Sequence, residues 1–149
     1  MNNLRKQVLH AARDHFQSLA RDLEARQQAH RNQIRRNNEP TDLDERAQSD
    51  QASEEMRREN EQLIHARESL AELAGMEADT PHQQAEMGAI VHTNSNRFLL
   101  GVAVPHFEVE GKSYVGISRN SPAYEKLHGK HVGEQFVLKG NTYKVKEIH

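Results

Sequence analysis

The chain of 149 residues contains no cysteine and no tryptophan, and its aromatic residues are four phenylalanines and three tyrosines. The absence of cysteine excludes disulfide scaffolds, thiol nucleophiles and cysteine-ligated zinc. Hydrophobic residues make up 35% of the chain, below the roughly 45–50% of an ordinary globular domain. The composition therefore argues against one large hydrophobic core and predicts that part of the chain is elongated helix.

Long apolar runs and a strong charge of one sign are also missing. The apolar stretch 98–104 has seven residues, whereas a helix that spans a bilayer needs about 20. Residues 1–16 lack the apolar segment and cleavage site of a secretory signal. With 20 basic and 22 acidic residues the net charge is −2, which excludes a strongly basic nucleic-acid coat protein. We expect a cytoplasmic protein without a membrane-spanning segment.

Glycine, proline, valine and aromatic residues are scarce in the first half and common in the second. Residues 1–78 contain one of each kind, whereas residues 79–149 contain seven glycines, three prolines, eight valines and six aromatic residues. The first composition is typical of long helices and the second of a small β-rich domain. The predicted domains are a helical hairpin over 1–77, a linker over 78–86 and a β-rich domain over 87–149.

Apolar residues of the first half recur at the three- and four-residue spacing of a helix face. Pro40 interrupts this pattern, and Thr41 is a suitable N-cap for a second helix. We predict one helix over 3–37 and an antiparallel second helix over 42–74, each about 50 Å long at a rise of about 1.5 Å per residue. Gly75 is predicted to cap the second helix at its C-terminus. The apolar positions are Leu4, Val8, Ala12, Phe16, Leu19, Leu23 and Ile34 on the first helix, and Ala52, Met56, Leu63, Ala66, Leu70 and Leu73 on the second.

Charge is distributed unevenly between the two predicted helices. Residues 1–40 carry eight basic and four acidic side chains, whereas residues 41–79 carry four basic and twelve acidic ones. Opposite net charges favour pairing of the two helices with each other. Because an exposed ion pair contributes only a few tenths of a kcal/mol or so, the charges select the pairing more than they stabilise it.

The second half predicts strands separated by glycine-containing turns. Residues 98–104 form a nearly continuous apolar run, which is typical of a central strand. Ser121 and Pro122 predict the cap and first turn of a short helix over 123–127. The fold class is therefore α+β, a helical hairpin followed by a small sheet with one short helix. The other predicted strands are 89–93, a hairpin within 106–118 that turns at 110–112, and a closing hairpin that turns at 139–141.

Ten histidines suggest a search for metal ligands. His128 and His131 are the pair that lies close at helical spacing, with Gly129 between them. Because no third ligand is evident beside them, we predict no structural zinc site.

The segment SPAYEKLHGKHVGEQFVLKGNTYKVKEI resembles the C-terminal signature of the bacterial GreA/GreB transcription elongation factors. In that signature a serine-proline pair opens a short helix, a glycine-lysine turn and a valine-glycine-acidic step follow, and a hairpin closes the chain. The resemblance covers residues 86–149. The family also has a coiled-coil hairpin with an acidic D-L-x-E-x-A element at its tip, and the segment 42–47 reads Asp-Leu-Asp-Glu-Arg-Ala.

The resemblance implies an FKBP-like C-terminal domain that docks at the rim of the secondary channel of RNA polymerase. In Gre factors the docking loop corresponds to residues 120–122. The hairpin would pass down the channel, so that Asp42 and Glu45 complete a Mg²⁺ site in the polymerase and stimulate cleavage of a backtracked transcript. Asp44 is a further candidate. The residues assigned to polymerase docking are Asn120, Ser121 and Pro122, and those assigned to the neighbourhood of the RNA are Arg31, Arg35 and Arg36.

The residue pattern at the tip is consistent with such a metal site. Asp42 and Glu45 are three residues apart and so share a helix face, and Mg²⁺ prefers oxygen ligands. The chain would not be an enzyme by itself, and the free protein is not expected to hold Mg²⁺.

The expected partners are RNA polymerase and, indirectly, the 3′ end of the nascent RNA. No sequence-specific DNA binding is expected, and the chain should be a monomer.

Simpler explanations exist for the same residues. Acidic side chains in the first turn of a helix interact favourably with its dipole, the three arginines could form a solvated face, and Ser121 and Pro122 could serve only as a helix cap.

Arg46 and Ser49 stand where the family usually has asparagine and tyrosine. A non-cleaving polymerase regulator or inhibitor that acts like DksA is therefore an alternative. DksA itself has a zinc-binding cysteine globule, which this chain cannot build. A homodimeric coiled-coil adaptor is an alternative of another class.

Overall fold

The computed structural model has two long helices followed by a six-stranded sheet with one short helix. The predicted α+β fold class is confirmed. The structure describes residues 3–36, 43–77 and 81–149, and the side chains of 3, 34–36, 43–50 and 77 fall outside the description. The elements are α1 (Asn3–Arg36), α2 (Leu43–Glu77), β1 (Ile90–Thr93), β2 (Arg97–Gly101), β3 (Val104–Val109), β4 (Lys112–Ser118), α3 (Pro122–Leu127), β5 (Gln135–Leu138) and β6 (Asn141–Ile148).

Packing divides the chain into two compact units. The sheet unit consists of Met1–His15 together with Ala71–His149, and the hairpin unit is Phe16–Leu70. Both long helices contribute to each unit. The division into domains 1–77 and 87–149 with a linker between them stays a prediction.

Within the hairpin unit, α1 and α2 pair in opposite directions. Arg67 Nη2 donates to Glu24 Oε1 at 2.9 Å, and Gln27 Nε2 donates to Asn60 Oδ1 at 3.3 Å. As the α1 partner moves up the chain, the α2 partner moves down it, which confirms the antiparallel hairpin. The Glu24–Arg67 pair carries the acid on α1 and the base on α2, the reverse of the net charges of the two helices.

The predicted apolar face of α1 is confirmed at Val8, Ala12, Phe16 and Leu23, which are all buried. Leu4 and Leu19 are half-buried, and the side chain of Ile34 lies outside the description. On α2 the prediction of a C-cap at Gly75 is wrong, because the helix continues through this residue to Glu77. Tertiary packing explains the continuation. Leu73 and Met76 are buried, and Met76 lies against Gly101 of β2 within the sheet unit.

The sheet has the strand order β3-β4-β2-β1-β6-β5, in which β2 pairs with β4 in parallel and the other neighbours are antiparallel. The central position predicted for the apolar run is confirmed for β2. Its side chains and those of α3 meet in one core. The buried members of this core are Ala85, Ala89, Val91, Phe98, Leu100, Ile117, Leu127, Phe136 and Val145.

The prediction of one continuous strand over 98–104 is wrong beyond Gly101. Gly101 has φ of +124°, and a Cβ atom built on it would lie 2.6 Å from Met76 Cε. The backbone therefore leaves β2 at a residue that only glycine fits, and β3 begins at Val104. The stretch is shared between two strands because the backbone leaves the extended conformation at Gly101, where φ is positive.

Both predicted hairpin turns are confirmed. Glu110 and Gly111 have φ of +53° and +78°, and Lys139 and Gly140 have φ of +52° and +80°. Two consecutive residues with positive φ are the signature of the type I′ turn, whose twist matches that of the strands it joins.

In the described parts of the chain, no helix is both long and apolar enough to cross a membrane.

Candidate functional site

The acidic segment predicted for the tip lies at the start of α2. Asp42 lies outside the described residues, and α2 begins at Leu43, so that Asp44 and Glu45 belong to its first turn. The side chains of Asp44 and Glu45 fall outside the description. The structure therefore places Asp44 and Glu45 in the first turn of a helix and gives no distance between their carboxylates.

The basic residues assigned to the neighbourhood of the RNA lie in the last turns of α1. Arg31 is exposed, and Arg35 and Arg36 are the final residues of the helix, with side chains outside the description. Because α1 and α2 are antiparallel and residues 37–42 join them, both sets belong to the same end of the hairpin unit.

The third predicted set, Asn120, Ser121 and Pro122, lies at the start of α3. Ser121 is the N-cap, with φ of −76° and ψ of 141°, and its Oγ accepts a hydrogen bond from the Ala123 N–H at 3.2 Å. Pro122 is the first helical residue, where its missing N–H leaves no partner unsatisfied. The predicted cap is confirmed. Asn120 and Pro122 are exposed, so this turn combines a fixed backbone with accessible side chains.

Arg5 is a residue that the sequence analysis missed. It is 5% exposed, although the helical pattern of α1 gives no reason to bury a charged residue between Leu4 and Val8. Its Nη1 donates to the Gly88 carbonyl at 2.6 Å, and its Nη2 donates to the Met76 carbonyl at 2.8 Å. Arg5 thereby connects α1, the end of α2 and the approach to β1 within the sheet unit.

A second missed group consists of His92, Glu147 and His149. His92 Nδ1 lies 3.3 Å from Glu147 Oε2, and His149 Nε2 lies 3.1 Å from the same oxygen. Only 13% of the His92 side chain is exposed, against 61% for Glu147. The His92 ring also lies edge-on to the ring of the buried Tyr114, at 5.7 Å between centroids.

Burial is the main cause that lowers the pKa of His92, and the neighbouring His149 lowers it further. The hydrogen bond with His149 holds the pKa of Glu147 below its ordinary value. Burial raises the pKa of Tyr114. The group therefore combines an imidazole in which the neutral form is favoured with a carboxylate in which the charged form is favoured.

The sequence carries part of the signal for this group, in the spacing of two of its members. Glu147 lies on β6, and His149, just after the strand, continues its pairing through backbone hydrogen bonds with Ile90. The two residues are two apart and therefore share a face of the sheet. The pairing of His92 with Glu147 depends on the register between β1 and β6, which helical spacing between histidines does not show.

Comparison with known proteins gives two solved structures. The chain is similar to Gfh1 of Thermus aquaticus, with 15% identity, a TM-score of 0.33, and coverage of 94% of this chain and 95% of that one. It is also similar to GreA factor homolog 1 (Gfh1) of Thermus thermophilus, with 14% identity, a TM-score of 0.32, and coverage of 93% and 95%. No family model and no curated protein sequence matches the chain. At this identity and TM-score, the likeness assigns neither a family nor a function.

Proposed function

We propose that this chain is a cytoplasmic secondary-channel regulator of bacterial RNA polymerase that stimulates cleavage of backtracked transcripts. The observation that carries the proposal is the position of two sequence motifs on their elements. Residues 43–47 of the acidic segment lie at the start of α2 in an antiparallel hairpin, and the Ser121-Pro122 pair begins α3 in a small sheet unit. In the GreA/GreB family, the corresponding motifs lie at the hairpin tip that enters the polymerase channel and in the loop that docks at its rim.

The α3 turn is suited to docking because its backbone is held from both sides. The Ser121 N–H donates to the Ser118 carbonyl at 3.0 Å, while Ser121 Oγ accepts from Ala123. The exposed side chains of Asn120 and Pro122 can therefore meet a partner without loss of the cap. In this proposal the turn contacts the rim of the polymerase channel.

The tip would contribute carboxylates to the polymerase. Asp42 and Glu45, with Asp44 as a further candidate, offer the oxygen donors that Mg²⁺ prefers. A Mg²⁺ ion held there would lower the pKa of a coordinated water, which is the chemistry needed for attack on a phosphodiester. Arg31, Arg35 and Arg36 would attract the phosphates of the RNA 3′ segment electrostatically. The chain has no catalytic activity of its own in this proposal, because the reacting site belongs to the polymerase.

Transcript cleavage by a stalled elongation complex, made with polymerase from the same organism, tests the proposal. Wild-type protein should accelerate cleavage, and Asp42→Ala with Glu45→Ala should abolish the acceleration while binding persists. Glu55→Ala with Glu61→Ala removes two exposed charges further along α2 and should leave cleavage unchanged. Equal cleavage by wild type and the Asp42/Glu45 variant would refute the role of the tip carboxylates.

Docking has a separate test. Ser121→Asp retains an N-cap residue and adds a charge to the turn, so we expect a folded protein that competes poorly with wild type for polymerase. Ser95→Asp places the same charge on an exposed loop of the same unit and should compete normally. Wild-type affinity of the Ser121→Asp protein would remove the α3 turn from the interface.

A non-cleaving regulator is the second candidate, and Arg46 and Ser49 favour it, because the family usually has asparagine and tyrosine there. It predicts that wild-type protein binds polymerase and lowers transcription without accelerating cleavage. The homodimeric adaptor predicts a dimer at micromolar concentration in sedimentation equilibrium, where the proposed regulator should be a monomer.

A further inference from the structure

The strand register brings two histidines and a glutamate together on one face of the sheet. His92 on β1 is the cross-strand partner of Glu147 on β6, and such partners project to the same side. His149 follows Glu147 by two residues and so lies on that side as well. We propose that His92, Glu147 and His149 form a binding site for a divalent transition-metal ion of the zinc type.

The distances fit the proposal. The donor atoms of the three residues all lie within 4.8 Å of one another. Metal–ligand bonds of about 2.0–2.2 Å place neighbouring ligands of a tetrahedral ion about 3.3–3.6 Å apart. The separations of Glu147 Oε2 from His92 Nδ1, 3.3 Å, and from His149 Nε2, 3.1 Å, are close to this range. Because Glu147 is largely exposed, its side chain can adjust without disturbing the core.

The surroundings orient the histidines. The second ring nitrogen of His92, Nε2, lies 3.4 Å from the hydroxyl oxygen of Tyr114. This contact suits a ligand that binds metal through Nδ1 and donates its other N–H, the usual arrangement around metal-bound histidine. The backbone of His149 is held by two hydrogen bonds with Ile90, at 3.0 and 2.8 Å. Two of the three ligands are therefore positioned before an ion arrives.

The charges around the site determine which ions it can hold. Arg97 and Lys112 are close enough to oppose the charged form of His92, and they would weaken cation binding relative to a closed site with four ligands. Two imidazoles select zinc, nickel or copper over Mg²⁺ and Ca²⁺, which prefer oxygen ligands alone. Three protein ligands leave one tetrahedral position for water or for a group from a partner.

A metal ion here would connect β1 to the end of β6. The inference does not depend on the polymerase proposal, since it uses neither the tip nor the α3 turn. It also differs from the Mg²⁺ site of that proposal in place and in ligand chemistry.

Zinc titration of the full chain by calorimetry tests the proposal, with Co²⁺ absorption as a second measurement, because tetrahedral Co²⁺ absorbs strongly in the visible. We expect one site of high affinity. Replacing a ligand, in His92→Gln, Glu147→Gln or His149→Gln, should weaken zinc binding by more than about 100-fold. This loss exceeds the one usual for a residue that only hydrogen-bonds to a ligand. Tyr114→Phe should weaken it by about 10-fold.

His131→Gln is the matched control. His131 Nδ1 lies 3.0 Å from Glu134 Oε1 in an exposed pair of the same kind, so this variant removes a histidine–carboxylate pair elsewhere in the sheet unit. It should retain the site, and zinc should raise the melting temperature of this variant and of wild type but not of Glu147→Gln. The exposed position of Glu147 keeps that variant folded if His92→Gln is not. Equal affinities in wild type and the Glu147→Gln protein, or an equal loss in His131→Gln, would overturn the proposal.

Discussion

The sheet unit and the hairpin unit bury different amounts and kinds of side chain. Ile90, Leu99, Leu100 and Tyr114 of the sheet unit are each at most 1% exposed. The hairpin unit buries three large side chains, Phe16, Leu23 and Leu63, together with small or polar residues. The latter group is Ala20, Gln27, Ala66 and Ser69.

The difference indicates how each unit is held together. The hairpin unit depends on helical hydrogen bonds within each helix and on one narrow face between them. The sheet unit depends on contacts between distant parts of the chain, from α1 to the end of β6. A substitution at a buried position of the sheet unit should therefore affect stability far more than one on the hairpin surface, and the following measurements test this contrast.

The largest effect is expected from Leu99→Ala in the central strand. Removal of this fully buried side chain should lower the free energy of unfolding by about 2–5 kcal/mol, because it combines lost burial with a cavity. Urea unfolding followed by circular dichroism measures the change. Val137→Ala, at a position that is 55% exposed, should change it by less than about 0.5 kcal/mol. Similar values for the two variants would contradict the assignment of the core.

Arg5→Met should destabilise the sheet unit by about 2–3 kcal/mol. The substitution leaves the buried carbonyls of Gly88 and Met76 without their charged donor, and an unsatisfied buried group costs about 1–3 kcal/mol. Lys6→Met changes the exposed neighbour and supplies the control. Hydrogen exchange should show reduced protection of backbone amides at both ends of the contact, in α1 and around Gly88. A variant as stable as the control would show that the Arg5 contacts are energetically neutral.

A smaller effect is expected for the ion pair between Glu24 and Arg67 in the hairpin unit. The two side chains are 52% and 60% exposed, and such pairs contribute about 0.2–1 kcal/mol. A double-mutant cycle with Glu24→Ala and Arg67→Ala measures the coupling energy, which should decrease as salt is added. A coupling above about 2 kcal/mol would mean that the hairpin unit relies on charge more than its exposure indicates.

The smallest effect concerns Glu86 and acid. The hydrogen bond from His82, followed by that from Gln84, lowers the pKa of Glu86 from its ordinary value of 4.5. A group whose pKa is lowered in the folded state stabilises it above the ordinary pKa and loses this contribution as the pH falls through the lowered value. Wild type should exceed Glu86→Gln in stability at neutral pH, and the difference should shrink as the pH falls below the ordinary value of 4.5 and through the lowered pKa. Glu108→Gln is the control, because it shows how much stability changes when another carboxylate of the sheet unit is removed. A difference that persists unchanged in acid would contradict the His82 contact.

Local sequence determined those elements whose signals lie within a few residues. The glycines at 111 and 140 predict both hairpin turns, and Ser121 with Pro122 predicts the start of α3. The apolar spacing predicts the buried face of α1. In each case the deciding interaction is a turn geometry, a cap or a helix face, and all of these act over at most one or two turns of chain.

The acidic tip separates what local sequence predicts from what the family resemblance implies. The segment 42–47 predicts the beginning of a helix through its composition, and α2 does begin there. The role of Asp42 and Glu45 in cleavage stays a prediction, because it depends on a polymerase that this chain does not contain.

Tertiary structure decided the remainder, since contacts between distant residues override local preference. Helix α2 passes Gly75 because Met76 has a buried place against Gly101. The apolar run ends its strand at Gly101, where the backbone turns away with φ of +124°. Arg5 is buried because three separate backbone segments offer it carbonyls. His92 meets Glu147 and His149 only through the register of β1 against β6. That register is determined by which faces of the strands are buried in the core, and spacing along the sequence alone cannot reveal it.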